Sequence, residues 1–80
     1  MRRSEYSRPG TDLTDLERRV LYWTANGDTD ETIARRLFYG RTGIQAIQQR
    51  IKQKLGAANR AHAVALGFRR GYLKDEVKES

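Results

Sequence analysis

Arg41-Thr42-Gly43-Ile44-Gln45-Ala46-Ile47-Gln48-Gln49-Arg50-Ile51-Lys52-Gln53-Lys54-Leu55 carries its large apolar residues at positions 44, 47, 51 and 55. That spacing returns to one side of a helix, so these four residues form a buried stripe. Gln45, Gln48, Gln49, Lys52 and Gln53 fill the remaining surface, with Arg41, Arg50 and Lys54 around them. A helix built this way docks on its own protein through one face. The other face offers amides and positive charge.

The sequence before this segment predicts a second helix with a stripe of its own. Ile33, Ala34, Leu37 and Phe38 recur at core-facing spacing. Asp28 or Thr29 is an acceptable N-cap, and Asp30 and Glu31 occupy the first turn, where negative charge suits the helix dipole. Arg35 and Arg36 point outward, and Tyr39-Gly40 ends the helix. The next helix is capped by Gly40 or Thr42 and stopped by Gly56.

Two more helices flank this pair. Thr14 and Glu17 have the spacing of a capping box, with Asp15 adding charge at the same end. Leu16, Val20, Leu21, Trp23 and Thr24 make the apolar face of the first helix, and Gly27 stops it. Asn59 caps a fourth helix built from Ala61, Ala63, Val64, Ala65, Leu66, Gly67 and Phe68, with Gly71 as its stop. Tyr72 and Leu73 fold back beneath its last turn. The expected architecture is all-α with four helices over residues 13–73. A flexible basic arm, residues 1–12, precedes them, and a charged tail, residues 74–80, follows.

Composition narrows the function classes. The 80 residues include no cysteine and one histidine, His62. Neither a disulfide nor a metal site is expected, and no cofactor motif is present. Gly40-Arg41-Thr42-Gly43 follows no strand and precedes no Gly-Lys pair, so it is not a phosphate-binding loop. The acids sit at helix starts as caps rather than as a catalytic pair, and His62 reads as a structural or surface residue. An enzyme is not expected. No apolar run approaches the roughly 18 residues of a membrane span, and no secretory signal is visible, so a cytoplasmic protein is expected.

Charge is the stronger clue. The formal net charge is +6, and from Thr32 to Lys74 there are ten Lys or Arg and no acid. Segregation of this kind gives one part of the molecule a strong positive field and points to a polyanion. The second and third helices, joined by a short glycine-containing turn, match a helix-turn-helix, whose second helix enters the major groove of duplex DNA. Gln45, Gln48 and Gln49 suit base reading, because an amide both donates to and accepts from adenine. Arg41, Arg50, Lys52 and Lys54 are placed to hold phosphates.

The motifs now resemble those of a known family, the LuxR-type (GerE, NarL/FixJ-like) DNA-binding domain. Leu13-Thr14-Asp15-Leu16-Glu17-Arg18-Arg19-Val20-Leu21 is similar to its opening LTxREREVL. Ala25-Asn26-Gly27, Ile33-Ala34-Arg35-Arg36-Leu37, Ile51-Lys52-Gln53-Lys54-Leu55-Gly56, Asn59-Arg60-Ala61-His62-Ala63-Val64 and Gly71-Tyr72-Leu73 follow in register. The resemblance implies a four-helix domain whose third helix reads bases through Gln45, Ala46 and Gln49. It implies phosphate contacts at Arg41, Gly43 and Lys54, and a dimer contact on the fourth helix, which we place at Ala61, Ala65 and Leu66. Departures occur at Thr32, Gly40, Gly43, Gln45 and Ile47, where the family usually has Glu, Ser, Thr, Lys and His. The expected function is sequence-specific DNA binding by a small stand-alone transcriptional regulator from a bacterium or phage. Two alternatives are a protein-interaction module that contacts a protein such as RNA polymerase, and an architectural or recombination accessory DNA-binding protein.

Overall fold

A computed structural model of the chain describes residues 12–73. Among the described residues there are four helices and no strand: α1 (Asp15–Ala25), α2 (Asp30–Leu37), α3 (Arg41–Leu55) and α4 (Arg60–Arg69). The tail, residues 74–80, and the arm other than Asp12 lie outside the described residues.

Local chemistry sets the helix starts. The Thr14 amide donates to Glu17 Oε1 (2.9 Å) and the Glu17 amide donates to Thr14 Oγ1 (3.1 Å), a complete capping box. Thr29 Oγ1 accepts from the Thr32 amide (3.2 Å), so Thr29 rather than Asp28 caps α2. Asn59 Oδ1 accepts from the His62 amide (2.9 Å), and His62 Nδ1 accepts in return from the Ala58 amide (3.0 Å). His62 is therefore structural. Gly40 caps α3 and supplies no side-chain bond.

All four helices end in one pattern, a Schellman closure, in which an amide two or three residues past the helix reaches back to the carbonyl five positions earlier. The pairs are Asp28 to Trp23, Tyr39 to Ala34, Ala57 to Lys52 and Tyr72 to Gly67, at 2.8–3.0 Å. Each requires a left-handed residue, supplied by Gly27, Phe38, Gly56 and Gly71. Phe38 corrects the expected core stripe of α2. The helix ends at Leu37, the reversal carries the Phe38 side chain off the apolar face, and the residue is 95% exposed.

The core follows the sequence periodicity elsewhere. Ile44, Ile47, Ile51 and Leu55 of α3 are buried against Val20 and Leu21 of α1, Ile33 and Ala34 of α2, and Ala63 of α4. α3 packs on all three other helices. Close approach of α4 depends on Gly67, where a Cβ would lie 2.8 Å from Leu21 Cδ2 and 3.1 Å from Leu73 Cδ1. Leu66 is 8% exposed and belongs to this core, which corrects its placement on an open dimer surface. Leu73 is buried as expected, and the Tyr72 hydroxyl donates to Asp12 Oδ1 (2.9 Å). That bond fastens Asp12 to the bundle. Burial and the Asp12 carboxylate together push the Tyr72 phenol above its ordinary pKa.

Candidate nucleic-acid interface

The outward face of α3 can be laid out from its geometry. At about 100° per residue, Thr42, Ala46, Gln49 and Gln53 fall within about 40° of the line opposite the buried stripe. All four are exposed. Gln45 and Arg50, also exposed, flank them on opposite sides, about 65–75° from that line. Arg41 and Lys52 lie beyond Gln45 on the same edge. A neutral strip of amides, a hydroxyl and one methyl is thus bordered by cations on both edges.

Gln48 does not join this strip. It is 4% exposed and turned inward, where its Nε2 donates to Thr24 Oγ1 (2.8 Å) and Asp30 Oδ1 (3.3 Å). The Thr24 hydroxyl in turn donates to the Val20 carbonyl (2.8 Å). Gln48 therefore ties α3 to α1 and α2, which corrects its expected place among the base-reading amides. Sequence reasoning could not separate it from Gln49, since the two adjacent glutamines differ only in which neighbours they meet.

Lys54 also has an internal role. Its side chain is 14% exposed, and its ammonium lies 2.8 Å from Glu17 Oε1 while donating to the Asp12 carbonyl (3.1 Å). This placement corrects the expectation that Lys54 holds a phosphate. Glu17, 3% exposed, is more than a cap. Burial alone would raise its carboxyl pKa. The hydrogen bond from Lys54, the Thr14 amide and the charges of Lys54 and Arg50 outweigh burial and hold it below the ordinary range. A signal for this role was present: Glu17, Val20, Leu21 and Thr24 share one helical face, so an acid stands among core positions. Arg50 Nε lies 3.5 Å from Glu17 Oε2 on a half-exposed side chain, at the border between core and surface.

Other acids are used internally. Asp28 pairs with Arg36 (3.1 Å), whose guanidinium also lies over the Trp23 ring, and Asp30 pairs with Arg60. Arg35, Arg41 and Lys52 form no ion pair among the described residues. Arg41 and Lys52 thus border the outward face of α3 without an acid partner among the described residues. The start of that helix adds unused donors. The first intrahelical bond runs from the Ile44 amide to the Gly40 carbonyl (3.2 Å), leaving the amides of Arg41, Thr42 and Gly43 without helical acceptors. Tyr39 lies against Gly43, where a Cβ would come 3.2 Å from its ring. Gly43 can contribute to a phosphate only through its backbone.

On α4, Ala61 and Ala65 are exposed as expected. Phe68, one further turn along and exposed, extends that apolar line and was missed by sequence reasoning. No group of His, Asp and Glu suited to a metal occurs among the described residues, and no described helix is long and apolar enough to cross a membrane.

Two helices joined by a three-residue turn, the second displaying amides between cations, define a helix-turn-helix domain of the DNA-binding class. The family model described as "Bacterial regulatory proteins, luxR family" matches residues 11–66, and the chain belongs to that family. LuxR-type domains are DNA-binding regulators rather than enzymes. No curated protein matches the chain.

Proposed function

We propose that the protein binds duplex DNA sequence-specifically to regulate transcription, with α3 in the major groove. Gln45, Ala46 and Gln49 face base edges, and Thr42 and Gln53 extend the same strip. The glutamine amides recognise adenine, and Ala46 and the Thr42 methyl suit the thymine methyl group. Arg41, Lys52, Arg50 and the backbone amide of Gly43 hold phosphates and fix the register. Lys54 is not in this set, because its ammonium is bound to Glu17.

The observation that carries this reading is the neutral strip on α3 bordered by Arg50 on one edge and, on the other, by Arg41 and Lys52, which form no ion pair among the described residues. A helix evolved only for solubility has no need to sort its charges to the edges. A second copy of the chain docks across Ala61, Ala65 and Phe68 of α4, so that two α3 helices reach successive turns of the groove. Selection of bound sequences from random duplexes tests the proposal. A palindrome with half-sites about 10 base pairs apart is the expected result. Recovery of unenriched sequence would contradict base reading.

A further inference from the structure

Phe38 is a feature that neither the fold nor the α3 reading strip uses. Three of the four helices place glycine at the left-handed closing residue, whereas α2 places a phenylalanine there, at φ 58°. A residue with a Cβ is strained in this conformation, and glycine or asparagine fits it better. The ring gains nothing from its neighbours. At 95% exposure it is far more open than the other exposed aromatics, Tyr22, Tyr39 and Phe68. Strain in the backbone and an apolar ring in water occur together at one position, with no return among the described residues.

The location indicates what covers the ring. Phe38 stands two residues before Gly40, the N-cap of α3, and the N-terminal end of this helix is the end that reaches base edges in a helix-turn-helix. Arg35 and Arg41, three residues to either side, are exposed and form no ion pair among the described residues. A protein-binding anchor is normally set in a cluster of apolar neighbours. Here the adjoining outward face of α3 has no apolar residue larger than Ala46. A ring beside the half-exposed Tyr39, with Arg35 and Arg41 on either side, fits a surface that alternates anionic groups with small apolar ones, as the sugar-phosphate backbone does.

We infer that Phe38 is a DNA contact, its ring lying against the deoxyribose of a strand that borders the groove entered by α3; this rests on the DNA-binding reading above. A sugar contact carries no sequence information and releases no counterions. Loss of the ring therefore weakens binding to every duplex equally and leaves the salt dependence unchanged. The same loss relieves the backbone, so the free protein becomes more stable.

The test uses the 80-residue chain and its Phe38→Asn, Phe38→Gly, Phe38→Trp and Lys52→Ala variants. Each is titrated with a selected duplex and a scrambled duplex at several salt concentrations, and melted without DNA. Phe38→Asn and Phe38→Gly are expected to melt about 4–8 °C higher than the parent. They bind both duplexes about ten-fold more weakly, with the parent's slope of log affinity against log salt. Phe38→Trp keeps the parent's affinity. Lys52→Ala, the comparator, lowers that slope by about one unit. Unchanged affinity in Phe38→Asn, with the parent binding normally, would overturn the inference alone and assign the ring to a protein partner. A loss confined to the selected duplex would overturn it in favour of base contact. Failure of the parent to bind any duplex would overturn both this inference and the reading beneath it.

Discussion

Replacing Lys54 by methionine separates two roles that the sequence leaves open. The substitution keeps the length of the side chain and removes its ammonium. Glu17, 3% exposed, then has only the Thr14 amide and Arg50 Nε at 3.5 Å. Breaking a fully buried pair costs about 3–5 kcal/mol, and since Lys54 sits at the edge of the bundle and Arg50 remains, about 2–3 kcal/mol is expected. That corresponds to a fall in Tm of about 10–20 °C for a domain of this size. The pH dependence has a definite sign. Glu17 is held below its unfolded pKa, so its contribution is complete above about pH 4.3 and is lost as pH falls through the lower folded value. The stability gap between parent and variant therefore narrows on acidification. The double variant Glu17→Gln/Lys54→Met should lose less than the two single losses added together, because no buried charge is left behind. Thermal and urea denaturation followed by circular dichroism measures all of this. A Tm change under about 2 °C, together with a salt slope for DNA binding lowered by about one unit, would refute the reasoning and return Lys54 to a phosphate.

Other consequences follow from the packing. Gln48→Leu should stay within about 1 kcal/mol of the parent in urea denaturation, since Thr24 keeps its bond to Val20 and Asp30 its pair with Arg60. Gln48→Glu places a second carboxylate beside Asp30 and should lose about 3 kcal/mol at neutral pH, partly recovered in acid. Gly67→Ala drives a methyl group toward Leu21 and Leu73. It should lower stability by about 1–2 kcal/mol in a thermal melt, despite alanine's better helix propensity.

Most of the fold was legible because helical periodicity and caps are local. The stripe of Ile44, Ile47, Ile51 and Leu55, the capping box at Thr14 and the Asn59 cap all stand where their spacing put them. The misplaced residues lie at borders. Gln48 and Lys54 sit about 55–65° from the centre of the buried stripe. At that angle burial is decided by what α1 and α2 offer opposite, here Thr24, Asp30 and Glu17. Spacing alone places Phe38 on the core face because no glycine directly follows Leu37 to mark the helix end, although the chain reverses there all the same. In α4 the alanines blur the periodicity, so Leu66 and Phe68 could not be sorted into buried and exposed. Within the interface, the outward places of Gln45, Ala46 and Gln49 were readable from spacing. The distinction between free and internally paired cations was not, because ion pairs join residues as far apart as Glu17 and Lys54.

The central claim is that the amide strip of α3 reads bases while its cationic borders hold the backbone. Paired titrations of Gln49→Ala and Arg50→Ala on a selected duplex and on its scrambled counterpart test it most directly, with circular dichroism confirming that both variants are folded. Gln49→Ala is predicted to lose about 1–3 kcal/mol on the selected duplex and almost nothing on the scrambled one. Arg50→Ala is predicted to weaken both alike. Equal loss on the two duplexes for Gln49→Ala would contradict the account and remove α3 from the role of reading helix.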